Sequence, residues 1–466
     1  DLLSESLSGK ISRREVLKRG AALGLSAPIL GLLVSAHSRG ALAQGATPTA
    51  QPAGYSLTKP KNLPTGLSGK ITVILGQAGP GVPWEEAACK MFTDITSVEV
   101  NRISGPSSTT DRNTQYLQVF GAGAADIDAC MIDVVFPAVF APYAVDLSAE
   151  LKADGSDFFQ AIVDNNTVDK VLVGIPWYTD ARVMYYRKDL LAKYNIANPP
   201  ATWADLETAA QTIQDGERKA GNANFWGLVF QGAAYEGLTC DALEWQVSYG
   251  GGTIVEPDKT VSVNNDQVAA AMDMAKGWIG KIAPPGVTGY QEEDARGVWQ
   301  AGNAAFMRNW PYAYANGQAA DSVIKDKFNV VPVPKGTGAK ARNADCLGGW
   351  QMMASKFSKN LDAAKAFCQF MCSPEIQKSH AIEGSYLPTM ASLYDDKDVL
   401  AAQPFFGALK PVFTGGAVAR PSTATGQNYP EVSQAYFTAV NQILTGADTK
   451  STLSSLESKI KGIISG

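Results

Sequence analysis

Hydrophobic and polar positions along this chain switch repeatedly between apolar runs of strand length and helix-compatible stretches. Lys70–Gly76 (KITVILG) is an apolar run of strand length, and the acid- and alanine-rich stretch Trp84–Phe92 after it predicts a helix. A second cycle follows, with a helix-compatible Thr109–Phe120 and a β-branched, apolar Ala125–Phe136 that predicts a buried strand turning into the next helix. This order predicts a mainly parallel sheet with helices on its faces. Val171–Tyr186 is apolar but broken at Gly174 and Pro176, where the chain changes direction and can cross between two α/β units. Thr202 is placed to cap a helix, with Asp205 at its third position. Val268–Ile282 reads as an amphipathic helix, Gly297–Gly302 as the end of another on glycine, and Ala304–Phe306 as a return to strand. Phe328–Pro334 runs into prolines, which suits a crossing segment better than a central strand. Ser373-Pro374-Glu375 starts a helix with Ser as cap and Pro at its first position, and Pro430–Ile464 reads as two helices broken at Gly446.

The first residues follow another pattern. Ser12–Lys18 carries paired arginines, Ala21–Val34 is a short apolar run, and Ala41-Leu42-Ala43 is a small-x-small cleavage site. Spanning a bilayer takes roughly 20 apolar residues, so the run reads as a signal and not an anchor. Residues 1–43 are therefore expected to be a twin-arginine export signal that delivers a folded protein, with Val16 where such signals prefer Phe. No Cys follows the cleavage site, so no lipid anchor is indicated, and the Pro/Thr/Ala/Gly-rich residues 44–67 are expected to form a flexible leader.

At 466 residues the chain exceeds what one hydrophobic core usually holds, so two lobes are expected. Without residues 1–43 it carries 34 basic against 42 acidic side chains, and the resulting −8 offers no electrostatic footprint for nucleic acid or anionic lipid. Six scattered cysteines (Cys89, Cys130, Cys240, Cys346, Cys368, Cys372) read as buried or paired thiols. With His380 as the one histidine after residue 43 and no CxxC, neither a metal site nor another cofactor is expected.

Candidate chemistry concentrates at the segment junctions: Trp177-Tyr178-Thr179-Asp180, Asn309-Trp310-Pro311-Tyr312, Gly348-Gly349-Trp350 and Arg420-Pro421. Binding residues collect on loops between rigid elements, and aromatic plates framed by Asp, Glu, Arg and Asn meet the needs of a sugar, whose C–H faces stack while its hydroxyls demand polar partners. Singly, each Trp is more often a core residue and each glycine pair a turn.

Taken together, PWYTDARVMYYRKDLLAKY (176–194), PPATWADL (199–206), FWGLVFQGAAYEGLTCD (225–241), QAGNAAFMRNWPYAY (300–314), LGGW (347–350) and SPEIQ (373–377) resemble the extracellular solute-binding proteins of ABC sugar importers. The likeness is to the maltose-binding-like group, family 1, and within it to the trehalose/maltose-binding branch, and it runs from about Lys70 to Ile464. The resemblance implies a two-lobed α/β fold of the type II periplasmic-binding-protein kind, with hinge-crossing strands at 174–181, 328–336 and 384–390 and a cleft between lobes. One lobe would hold residues 68–175 with 336–385, the other 176–335 with 386–466. It further implies a non-catalytic monomer, periplasmic or extracellular and cell-surface associated, that delivers an α-linked disaccharide such as trehalose or maltose to the permease subunits of an ABC importer.

The same resemblance implies ligand contacts at Arg112, Asp133, Tyr178, Asp180, Trp310, Tyr312, Gly349, Trp350 and Arg420, with Trp310, Trp350 and Tyr178 as plates and Gly349 giving close backbone approach. An acid near the first strand–helix turn belongs to the pattern, and here Glu85, Glu86 or Gln77 could fill it; Glu292 and Glu236 are further acids at comparable places. Two alternatives stay open: another carbohydrate (sucrose, other glucosides, an oligosaccharide), or a glycoside hydrolase, which also pairs carboxylates with aromatic plates and would be told apart by turnover. The chain has no GxSxG and no HExxH.

Overall fold

The computed structural model describes residues 54–77, 81–153, 157–411 and 417–465; the expected export signal and the start of the leader lie outside the described residues. Thirteen strands are seen among them: β1 Lys70–Leu75, β2 Glu99–Ser104, β3 Ala129–Asp133, β4 Thr167–Val168, β5 Val171–Leu172, β6 Ile175–Ala181, β7 Val183–Arg187, β8 Trp226–Val229, β9 Ala304–Asn309, β10 Phe328–Val331, β11 Asp345–Ala354, β12 Leu387–Pro388 and β13 Ala417–Val418. The longer helices are α1 Val82–Thr96, α2 Thr109–Gly121, α3 Trp203–Lys219, α4 Glu236–Ser248, α5 Asp266–Trp278, α6 Glu292–Gln300, α7 Leu361–Cys372, α8 Pro374–Gly384, α9 Tyr429–Leu444 and α10 Thr449–Ser465.

The first lobe is built on a sheet of order β12-β6-β11-β3-β1-β2, with β13 also paired to β11. Strand alternation divides its core. Ile71 and Val73 of β1 pack with α1 and α7 through Trp84, Phe92 and Phe367, while Ile74 faces Tyr116, Phe120 and Phe140 on the opposite side. β1, β2 and β3 are parallel as the βαβ order requires, but β11 returns antiparallel to both β3 and β6, so the sheet is mixed and not mainly parallel.

The second lobe carries the sheet β10-β7-β9-β8. Met184 and Phe306 pack with Trp203, Trp245, Trp278 and Tyr436 on one face, and Tyr185, Trp299, Met307 and Phe328 fill the other. β10, the strand that runs into prolines, lies at the edge of this sheet, where a missing N–H costs no ladder bond.

Local signals act as their chemistry dictates. Thr202 and Asp205 form a reciprocal capping box that starts α3, and Gly446 takes a left-handed φ of 119° between α9 and α10. Ser373 departs from expectation: its hydroxyl turns back to the Phe370 carbonyl at 2.8 Å, so it closes α7, and Pro374 alone marks the start of α8.

Two boundaries also shift. β6 and β12, expected in the second lobe, both pair within the first sheet, and the first crossing is at Arg182, the residue between Ala181 of β6 and Val183 of β7. The leader expected to be flexible lies on the first lobe from Tyr55 onward: Tyr55, Leu57, Leu63 and Leu67 pack against its core, and the Gln369 amide donates to the Asn62 carbonyl at 2.6 Å.

Candidate functional site

A cavity lined from both lobes gathers Arg112, Asp133, Tyr178, Asp180, Trp310, Tyr312, Gly349, Trp350, Arg420 and Glu292, ten of the eleven candidate residues. α2 brings Arg112, after the Ser108 hydroxyl caps the helix by accepting from the Asp111 N–H at 3.2 Å. Asp133 ends β3; Tyr178 and Asp180 lie on β6, and Gly349 and Trp350 on the adjoining β11. Trp310 and Tyr312 follow β9, and Glu292 opens α6.

Two arginines organise the charges. Arg420 donates to Asp133 Oδ1 and to Glu236 Oε1, both at 2.8 Å. Arg182, fully buried, donates to Gln231 at 2.6 Å and to Glu292 at 3.2 Å and lies 3.6 Å from Asp241. Behind it, Arg308 is held by Asp241 and by Glu244, the latter at 2.6 Å. Enclosed ion pairs of this kind are tolerable only with such multiple bonding. Asp180 differs, for its buried Oδ1 has no hydrogen-bond partner among the described residues. Burial pushes its carboxyl well above the usual range, with the Arg182 charge opposing.

Aromatic rings supply the apolar walls. Trp310 is held by three contacts: Arg182 lies 3.9 Å from its ring centroid, its indole N–H donates to Glu292 at 3.3 Å, and its carbonyl accepts from the Tyr185 hydroxyl at 2.8 Å. Arg112 lies 5.1 Å over the Trp350 ring while its guanidinium donates to the Leu75 and Pro106 carbonyls. Across the cavity, Tyr386 stacks on His380 at 3.9 Å, His380 stacks on Trp84 at 4.2 Å, and Tyr178 sits 4.7 Å from Tyr386. Enclosure in this column drives the His380 imidazole down to about 3, which keeps it neutral.

The glycine pair of β11 divides its work. A Cβ at Gly348 would come within 2.7 Å of the Trp310 ring, so this glycine makes room for the plate. Gly349 has φ 133°, and a Cβ there would meet the Tyr178 carbonyl of β6 at 2.8 Å. The close approach it permits is to the neighbouring strand, where close approach to a ligand was anticipated.

Glu85 does not line the cavity. Its carboxylate accepts from Arg102 Nε at 2.7 Å and from the Gly76 N–H at 2.9 Å, so it braces the turn after β1, while Glu86 is exposed and Gln77 reaches the cavity. Sequence reasoning did not single out Arg182, Ser107, Tyr386 or Cys240, all of which line it. Arg182 sits two residues after Asp180 in a stretch already marked as a junction, and Tyr386 lies in the expected third crossing; their roles come from burial and stacking, which no local pattern reports.

Residues 77–378 match the profile of the family described as bacterial extracellular solute-binding protein. A probable ABC transporter-binding protein of Deinococcus radiodurans is 49% identical over 376 residues, covering 80% of this chain and 89% of that one. Maltose-bound MalE3 of Thermotoga maritima superposes with a TM-score of 0.79 at 37% identity, over 84% of this chain and 99% of that one. The GacH receptor of Streptomyces glaucescens, solved unliganded and with acarbose, gives a TM-score of 0.75 at 23% identity over 86% and 99%, which is a likeness of fold.

Proposed function

Since the chain belongs to the bacterial extracellular solute-binding protein family, we propose that this sugar-binding subunit of an ABC importer captures a neutral α-linked disaccharide, of the trehalose or maltose kind, between its lobes. The observation that carries this is the composition of the cavity: Arg112, Arg182 and Arg420 face Asp133, Asp180, Glu236 and Glu292 between the rings of Tyr178, Trp310 and Trp350. Arginines interleaved with acids favour an uncharged ligand, since a phosphate or carboxylate would meet the acids as well as the arginines. The rings offer faces for pyranose C–H groups and the carboxylates accept hydroxyl pairs. In this reading Asp133, Asp180, Glu292, Arg112 and Arg420 bond the hydroxyls, while Tyr178, Trp310, Tyr312 and Trp350 stack. Similarity to maltose-bound MalE3 supports the glucoside class.

Binding, with no catalysis, is the activity proposed, after export by the twin-arginine route. The test is calorimetric titration of the purified protein with trehalose, maltose, sucrose, glucose and maltotriose, followed by product analysis after overnight incubation. Saturable heat with intact disaccharide is expected. Cleavage of the sugar would favour a glycoside hydrolase, and silence across the panel would sink the disaccharide assignment.

A further inference from the structure

Asp133 belongs to the first lobe and Glu236 to the second, yet both are bonded to the same guanidinium. Nη2 of Arg420 donates to Asp133 Oδ1 and Nη1 to Glu236 Oε1, each at 2.8 Å, and all three side chains are buried. The rest of the Glu236 carboxylate is committed within its own lobe. Oε1 also accepts from the Tyr429 hydroxyl, and Oε2 accepts from Ser433 Oγ at 2.6 Å, which in turn is bonded to Thr239 at 2.7 Å. Tyr429 and Ser433 lie on α9 and Thr239 on α4, two helices packed together in the second lobe. The Glu236 N–H meanwhile donates across the lobes to Thr110 Oγ1 of α2 at 3.2 Å. Asp133 Oδ1 is shared between Arg420 and the Val135 N–H, and no side chain among the described residues is bonded to its Oδ2.

Glu236 thus has little left to offer a hydroxyl, whereas Asp133 keeps an oxygen and lines the cavity. We infer that Glu236 is a positioning residue: it orients Arg420 against Asp133 and, through that shared cation, ties completion of the binding site to closure of the lobes. This rests on the sugar-binding reading above. The physical case is electrostatic. Asp133 and Glu236 repel across the cleft, and the Arg420 charge between them turns that repulsion into attraction only while both acids are near it. Opening the lobes must break one of the two bonds, since the acids ride on different lobes. A ligand that bonds the uncommitted oxygen of Asp133 therefore meets a preset partner in the closed form alone.

The experiment uses the full chain and whichever sugar of the calorimetric panel the wild type binds best. Glu236→Gln keeps the shape and a hydrogen-bonding oxygen for Tyr429 but removes the charge; it is expected to weaken affinity about tenfold or more, the usual scale for a charge-assisted bond. The sugar-induced fall in radius of gyration, followed by small-angle scattering, should need correspondingly more sugar, and Glu236→Asp should recover part of the affinity. A folded Glu236→Gln protein that binds within twofold of wild type overturns the inference. If that variant melts too low to titrate, Tyr429→Phe leaves the charge but frees one side of the carboxylate; a severalfold loss is expected there, and unchanged affinity overturns it equally. Should the wild type bind none of the sugars, the functional reading fails by itself, and ligand-free scattering judges the strut: Glu236→Gln should be more open, and equal radii would reject it.

Discussion

Arg182 lies directly beneath Trp310, its guanidinium carbon 3.9 Å from the indole centroid, and both residues bond the same oxygen of Glu292. The arginine that links the two sheets in sequence is therefore also the floor of an aromatic plate. Because the cation is fully buried and held by Gln231 and Glu292, it cannot leave the ring for water, and the plate is fixed before any ligand arrives.

Trp310→Ala is predicted to lose the plate and weaken disaccharide binding by on the order of 10- to 100-fold, since a stacked aromatic contributes through both area and ring geometry. Trp310→Phe keeps a ring over Arg182 without the bond to Glu292 and should fall between. Calorimetric Kd values for the three proteins provide the check, and equal affinities would remove Trp310 from the site.

The adjoining glycines are predicted to fail differently. Gly349→Ala forces a Cβ against the β6 backbone at a left-handed φ, so it should cost stability by about 1–3 kcal/mol. Gly348→Ala meets the Trp310 ring at 2.7 Å and the Asp180 Cβ at 3.2 Å, both side chains of the cavity, so its main effect should be on ligand affinity. Urea unfolding read beside titration separates them; the opposite assignment of effects would contradict the placement of Trp310.

Glu244 accepts from Arg308 Nε at 2.6 Å and from the Cys346 N–H at 2.8 Å, with no solvent access. Glu244→Ala leaves Arg308 with Asp241 and Gln231 as partners but orphans a backbone donor and removes one of the two carboxylates on the cation, and it should destabilise the second lobe by about 2–3 kcal/mol. Chemical denaturation measures this, and a loss below about 1 kcal/mol would mean that water reaches Arg308.

Two buried groups titrate in opposite senses. Burial holds His380 down at about 3, so as pH falls from about 6.5 the unfolded chain takes up a proton that the fold refuses, and stability is lost. Burial pushes Asp345 up to about 7, so the fold takes up that proton first, and stability is gained as pH falls from about 7 towards 4. The two offset in the wild type. Between pH 7 and 4.5, His380→Phe should gain on wild type and Asp345→Asn should fall behind it, each by on the order of 2–3 kcal/mol. Tm profiles across this range test both signs, and curves parallel to wild type would show that neither group is enclosed as described.

Features set by neighbouring residues were legible. The apolar run KITVIL, of strand length, places β1, and Thr202 with Asp205 starts α3, because strand length and capping act over a few residues. Direction and lobe membership were not: β11 runs antiparallel between β3 and β6, and β6 pairs with it more than 150 residues later, choices made by chain connections and not by the strands themselves. Cap chemistry failed once, at Ser373, where two helices meet end to end and the hydroxyl serves the first of them.

The sequence by itself determined many of the elements, the need for two lobes, and the collection of aromatic, acidic and basic residues at the junctions, since these follow from composition and short-range pattern. Only the tertiary structure decided which of those residues remain available to a ligand. Glu85 and Asp133 are both carboxylates at the end of a first-lobe strand or the helix after it, and nothing local tells them apart. Glu85 is consumed by Arg102, whereas Asp133 faces the cavity with an oxygen to spare and meets Arg420 from 287 residues away. The charge a group presents depends on which partners the whole fold brings within about 3 Å, and that distance is set by packing across the chain.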